Sequence, residues 1–123
     1  MQYQISITEN IACITLEGNL SALDLMFMFQ SKAYKDVINQ YKKIIIDCTH
    51  ICGITLTTDD VFAIAILGKM DLENRGKIHI ALAVNENEHE IMEKVTKSIF
   101  FDSQSQVFVT DSRNNAIKIL HSP

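Results

Sequence analysis

Three threonines and two aspartates stand together in Thr55-Leu56-Thr57-Thr58-Asp59-Asp60, directly ahead of the apolar run Val61-Phe62-Ala63-Ile64-Ala65-Ile66. The apolar run reads as a helix, which places Thr57 and Thr58 at its N-terminus. A hydroxyl there has two uses. It can cap the helix by accepting a backbone N–H, with Asp59 and Asp60 as first-turn partners of the helix dipole. It can also accept a phosphoryl group, adding roughly −1.5 to −2 charges. The dipole would favour that charge and the two aspartates would oppose it. The outcome would be a large change in local potential with little change in fold, which suits release of a partner.

Other reactive side chains form weaker patterns. Cys48-Thr49-His50-Ile51-Cys52 holds three potential metal ligands, but no second cluster supplies a fourth, so no metal site is expected. His79, His89 and His121 fall in different predicted elements, without a Ser or Cys nucleophile pattern. Glu86, Glu88, His89 and Glu90 cluster at a predicted helix start, where they form a solvated, dipole-compatible face. Gly18, Gly53, Gly68 and Gly76 are isolated, so there is no glycine-rich phosphate loop. No catalytic residue and no cofactor is expected.

The positioning elements follow from hydrophobic periodicity. Tyr3, Ile5 and Ile7 alternate with Gln4, Ser6 and Thr8 as an edge strand, and 11–17 forms a second strand ended by Gly18-Asn19. Residues 21–40 carry one broad helical stripe, with Ser21 or Asp24 as its cap. The nearly continuous Leu25-Met26-Phe27-Met28-Phe29 must leave one or two side chains exposed or covered by a partner. Ile44-Ile45-Ile46 is unalternating and β-branched, the mark of a central strand covered on both faces. A helix from Thr57 to about Asp71, a strand over 77–84, a helix over 86–98, a short strand at 107–109 and a last helix capped by Asp111 complete the chain. The order is ββαβαβαβα. It predicts an α/β fold with a mixed, mostly parallel sheet of about five strands, an N-terminal hairpin and about four helices.

With 123 residues, 47% of them hydrophobic, the chain suits one domain over residues 1–123 with a core of its own. Its net charge of −4 argues against a nucleic-acid surface. No apolar run is long enough to span a bilayer, and the N-terminus lacks the features of a signal peptide. Three cysteines, Cys13, Cys48 and Cys52, in apolar or strand-like sequence read as free thiols in a reducing cytoplasm.

In this arrangement the chain resembles the STAS domain, the fold of bacterial anti-sigma factor antagonists and of the cytoplasmic tails of sulfate transporters. The resemblance spans nearly the full length. Leu16-Glu17-Gly18-Asn19-Leu20 is similar to the family's Gly-x-Leu after its second strand. Ile44-Ile45-Ile46-Asp47-Cys48-Thr49-His50-Ile51 is similar to its apolar strand closing in Asp-Leu-Ser-x-Val. A threonine-rich turn stands where the family has Asp-Ser-Ser-Gly or Asp-Thr-Ser. Ile99-Phe100-Phe101, Val107-Phe108-Val109 and Ala116-Ile117-Lys118-Ile119-Leu120 are similar to its closing strand and helix.

The resemblance implies a non-enzymatic regulator that docks through residues 53–66 on an anti-sigma factor or a switch-type serine/threonine kinase. The family's phosphoacceptor falls on Thr57, or on Thr58 if the loop slips by one residue. Thr55 stands where the family has an aspartate, and Thr58 where it has a glycine. Asp47 matches the strand-end aspartate, a structural and interface residue, and Asp24 falls near the aspartate that opens the first helix. The implied partner-binding set is Asp24, Asp47, Thr55, Thr57, Thr58, Asp59 and Val61. Two alternatives accompany this reading. One is a constitutive adaptor in a stressosome-like or lipid-transport complex, without phosphorylation; the other is a nucleotide-binding domain. A homodimer is compatible with any of them.

Overall fold

The structure, a computed structural model, describes residues 1–73 and 75–121, with the side chains of Ile54 and Thr55 outside the description. Five strands form one sheet in the order β1-β2-β3-β4-β5. Strand β1 (Gln2–Thr8) pairs antiparallel with β2 (Ile11–Ser21), and β3 (Lys43–Thr55), β4 (His79–Ala83) and β5 (Gln106–Thr110) follow in parallel. The hairpin turns on Glu9 and Asn10, both with positive φ. Five helices connect or close the strands: α1 (Ala22–Gln30), α2 (Lys32–Gln40), α3 (Thr58–Leu72), α4 (Glu86–Phe100) and α5 (Arg113–His121).

The sheet is covered on both faces. Ile14, Leu16, Ile44, Ile46 and Ile80 pack with α1 and α2 residues such as Leu25, Met28 and Ile38. On the other face Ile11, Cys13, Ile45 and Ala81 meet Ala116 and Leu120 of α5. Ile44, Ile45 and Ile46 thus alternate between two separate cores, and each is buried. An unalternating apolar strand requires that arrangement. β1 is the edge its polarity predicts: Tyr3 and Ile5 pack on the core, while Ile7 is exposed.

Three features differ from their sequence expectation. The helix expected over 21–40 is two helices. Ser31, in extended conformation, ends one and starts the other. Its hydroxyl donates to Met28 O at 2.7 Å and accepts the Tyr34 N–H at 3.2 Å, serving both ends. Second, β2 does not stop at Gly18-Asn19, and β3 does not stop near Asp47. The two strands stay paired to Ser21 and Thr55 through two register shifts, each of which places an extra residue on β3. Gly18 continues the strand with φ +87°, a value that favours glycine. Third, the last helix is capped by Ser112, whose hydroxyl accepts the Asn115 N–H; Asp111 instead accepts from the Asn115 side chain at 2.6 Å.

Candidate functional site

The threonine cluster lies at the C-terminal end of β3, where the chain leaves the sheet for α3. Thr57 is the N-cap of α3. Its hydroxyl accepts the Asp60 N–H at 3.1 Å, and the Asp60 carboxylate accepts the Thr57 N–H at 3.0 Å. This reciprocal pair satisfies two of the helix's otherwise open donors. Thr57, Thr58 and Asp59 are exposed, and Val61 is half-buried one turn inside. The capping role that sequence assigns to Thr57 or Thr58 therefore belongs to Thr57. Thr58 is the first helical residue and is exposed. Thr55 ends β3, opposite Ser21, and its side chain lies outside the described residues.

Asp24 and Asp47 sit differently. Asp24 belongs to the first turn of α1, where Ser21 caps the helix: the Ser21 hydroxyl accepts the Asp24 N–H at 3.2 Å and donates to its carboxylate at 2.9 Å. Ser21 pairs with Thr55 across the sheet, so the starts of α1 and α3 are neighbours. Asp47 is only 1% exposed. Its Oδ1 accepts both the Thr49 N–H at 3.0 Å and the Thr49 hydroxyl at 2.6 Å, and His50 Nε2 lies 3.7 Å from Oδ2. The Asp47 carboxylate thus holds the first bulge of β3 in shape.

Helix α3 carries apolar residues around its whole circumference. Within Val61–Gly68 no residue is charged, and in the whole helix only Leu72 is buried. Ile66, Leu67 and Met70 are exposed. α1, which packs beside α3, exposes Leu23, Met26 and Phe27. These three lie at i, i+3 and i+4, one stripe of the helix. Sequence indicates that one or two of Leu25–Phe29 must be exposed or covered by a partner; the structure exposes two of them, Met26 and Phe27, and adds Leu23 and the residues Ile66, Leu67 and Met70 of α3. The α3 contribution is hidden in sequence because its polar residues do not mark out a solvent face.

α4 packs on the other side of α3. Lys69 and Asp102 join the C-terminal ends of the two helices at 2.5 Å, and that bond holds the Asp102 carboxyl below its usual range. Glu86 and Glu88 lie in the first turn of α4. Cys48, Cys52 and His50 remain dispersed along β3. Among the described residues no group of three or more Cys, His, Asp or Glu could hold a metal ion, and no helix is long and apolar enough to cross a membrane.

Comparison with known proteins gives a consistent picture at the level of fold. No family model and no curated protein matches the chain. Among solved structures, an uncharacterized protein of the DUF3478 family from Shewanella loihica PV-4, with a SpoIIAA-like fold, superposes with a TM-score of 0.57 at 14% identity, covering 97% of this chain and 92% of that one. The anti-sigma factor antagonist SpoIIAA in its unphosphorylated form superposes with a TM-score of 0.54 at 17% identity, covering 99% of this chain and 100% of that one. The sheet order, the opening hairpin and the helices on both faces are thus those of a SpoIIAA-like, STAS-type α/β fold.

Proposed function

We propose that this protein is a non-enzymatic regulatory module that binds a protein partner through the turn and helix over residues 53–66, with the neighbouring stripe of α1. The observation that carries the reading is the coincidence of two features on a SpoIIAA-like fold. Two exposed threonines stand at the N-terminus of α3, and the helix that follows presents uncovered apolar side chains beside those of α1. An apolar face of that kind marks an interaction surface. A phosphoryl group on Thr57 or Thr58 at its edge would desolvate poorly and would face Asp59 and Asp60, weakening a docked partner. The partner class is an anti-sigma factor or a switch-type serine/threonine kinase. Incubation with such a kinase and ATP, followed by mass spectrometric mapping, should place phosphate on Thr57 or Thr58, and Thr57→Asp should weaken the complex. Phosphate on neither residue, with Thr57→Asp binding as wild type, would overturn the switch.

A constitutive adaptor is the second reading, favoured by the exposed Leu23, Met26 and Phe27. In that case light scattering would show a complex of fixed stoichiometry, unchanged by kinase and ATP.

A further inference from the structure

Helices α3 and α4 present apolar side chains toward the sheet, yet they do not close on it. Between them lies a cavity of about 370 Å³, inside the range of about 300–1,000 Å³ occupied by small-molecule sites. Leu16, Ile46 and Leu82 of the sheet line one side; Ile64 of α3 and Met92 of α4 line the other. The stand-off is visible in α3 itself. Val61, Ile64 and Ala65 line the cavity but are only half-buried. A methyl group built on Gly68, in the same wall, would meet nothing within 4 Å. Apolar walls that do not meet one another forgo dispersion contacts, a standing cost that an apolar occupant removes.

Exposure locates the entrance. Among the residues lining the cavity, only Thr57, Thr58 and Asn85 are exposed, and all three lie at the starts of α3 and α4. The opposite ends of these helices are tied together by Lys69 and Asp102. The entrance offers neutral hydrogen-bonding groups. Asn85 occupies the N-cap position of α4, but its side chain makes no capping bond there. The charges in the first turns of α3 and α4 are of one sign. Glu88 is the one charged residue among those lining the cavity, and Asp59, Asp60 and Glu86 stand in the same first turns. No Lys, Arg or His lines the cavity to pair with an anionic head.

We infer that this cavity binds an uncharged single-chain amphiphile, its apolar chain between the sheet and helices α3 and α4 and its hydroxyl- or amide-type head at Thr57, Thr58 and Asn85. The inference goes beyond the docking reading and does not depend on it.

The probe is N-phenyl-1-naphthylamine, a neutral dye that brightens in apolar surroundings, displaced by 1-dodecanol, laurate or dodecyltrimethylammonium below their aggregation concentrations. Wild-type protein should bind the dye saturably at one per chain. Dodecanol should displace it at concentrations at least about tenfold lower than laurate, as carboxylates at the entrance would repel a like charge. Gly68→Leu and Ala65→Leu, which fill the space, should each weaken dye binding about tenfold or more. Phe101→Ser, at an exposed residue that does not line the cavity, should bind as wild type. Dodecanol should also raise the wild-type melting temperature, a measurement that needs no variant to fold. Unsaturable dye binding, unchanged binding in both filled variants, or no thermal shift with dodecanol would overturn the cavity site. Displacement by laurate or the ammonium compound as effective as by dodecanol would overturn the assignment of an uncharged head.

Discussion

Thr57 and Asp60 cap helix α3 reciprocally, each side chain accepting the other's backbone N–H, at 3.1 and 3.0 Å. The same hydroxyl that stabilises the helix is one of the two proposed phosphoacceptors. Thr57→Ala removes one cap bond and should cost about 1 kcal/mol in urea unfolding. Thr57→Asp replaces one good N-cap with another and adds a charge the dipole favours, so its stability should stay within about 0.5 kcal/mol of wild type. Loss of partner binding in Thr57→Asp would then report on charge at the surface, since the helix is intact. A Thr57→Asp protein as unstable as Thr57→Ala would remove that separation.

Ser31 shows how much a single hydroxyl can decide. It accepts from Tyr34 N–H and from the Tyr3 hydroxyl at 3.1 Å while donating to Met28 O. Ser31→Ala should cost about 1–2 kcal/mol, because a helix cap and a tie to the edge strand are lost together. Ser31→Gly should cost less at the cap, since glycine is tolerated there. Urea midpoints for the two variants, compared with Tyr3→Phe, test the ranking.

The main divisions of the fold were legible because they are local. Alternation marks β1, β-branching marks Ile44–Ile46 as doubly covered, and a threonine pair followed by two aspartates before an apolar run marks the start of α3. What escaped has a non-local cause. The break at Ser31 involves neither Gly nor Pro, and the apolar stripe resumes beyond it, so nothing in the periodicity signals two helices. The continuation of β3 through His50, Ile51 and Gly53 depends on pairing with Glu17, Gly18 and Asn19 across two bulges. The cavity escaped for a related reason. Periodicity tells which side of α4 faces the sheet, but marks no such side in the uniformly apolar α3, and in neither helix does it carry information on how far the helix stands from the sheet.

The three cysteines should react in a fixed order. Burial pushes the Cys48 thiol up to about 12, with the nearby Asp47 carboxylate adding to the effect, although part of its surface faces the cavity. Burial also raises Cys13. Cys52 is exposed. Iodoacetamide at pH 8 should therefore label Cys52 in the native protein and all three in urea. The raised thiols also set a pH dependence. An unfolded thiol ionises near about 8.5, whereas Cys48 stays neutral in the fold, so the unfolded state releases protons first. Stability is fully present below that value and is lost as pH rises toward 12. Urea midpoints should fall between pH 8 and 11, and Cys48→Ala should flatten that fall.

Gly18 and Gly68 should respond to alanine with opposite signs. Gly18 holds φ +87° within β2. A Cβ there is strained whatever the surrounding space, so Gly18→Ala should cost about 1–2 kcal/mol. Gly68 sits in the interior of α3 with ordinary helical backbone, where a glycine is about 0.8–1 kcal/mol worse than alanine. Its new methyl group would meet nothing within 4 Å, so no clash offsets the gain. Gly68→Ala should therefore stabilise the protein by about 0.5–1 kcal/mol, raising the melting temperature by roughly 2–6 °C for a domain of this size. The methyl group would occupy little of the cavity, so dye binding should survive in Gly68→Ala while Gly68→Leu weakens it. If Gly68→Ala destabilised the protein, α3 would have to pack on the sheet more closely than its half-buried inner residues indicate, and the space beneath it would not be open.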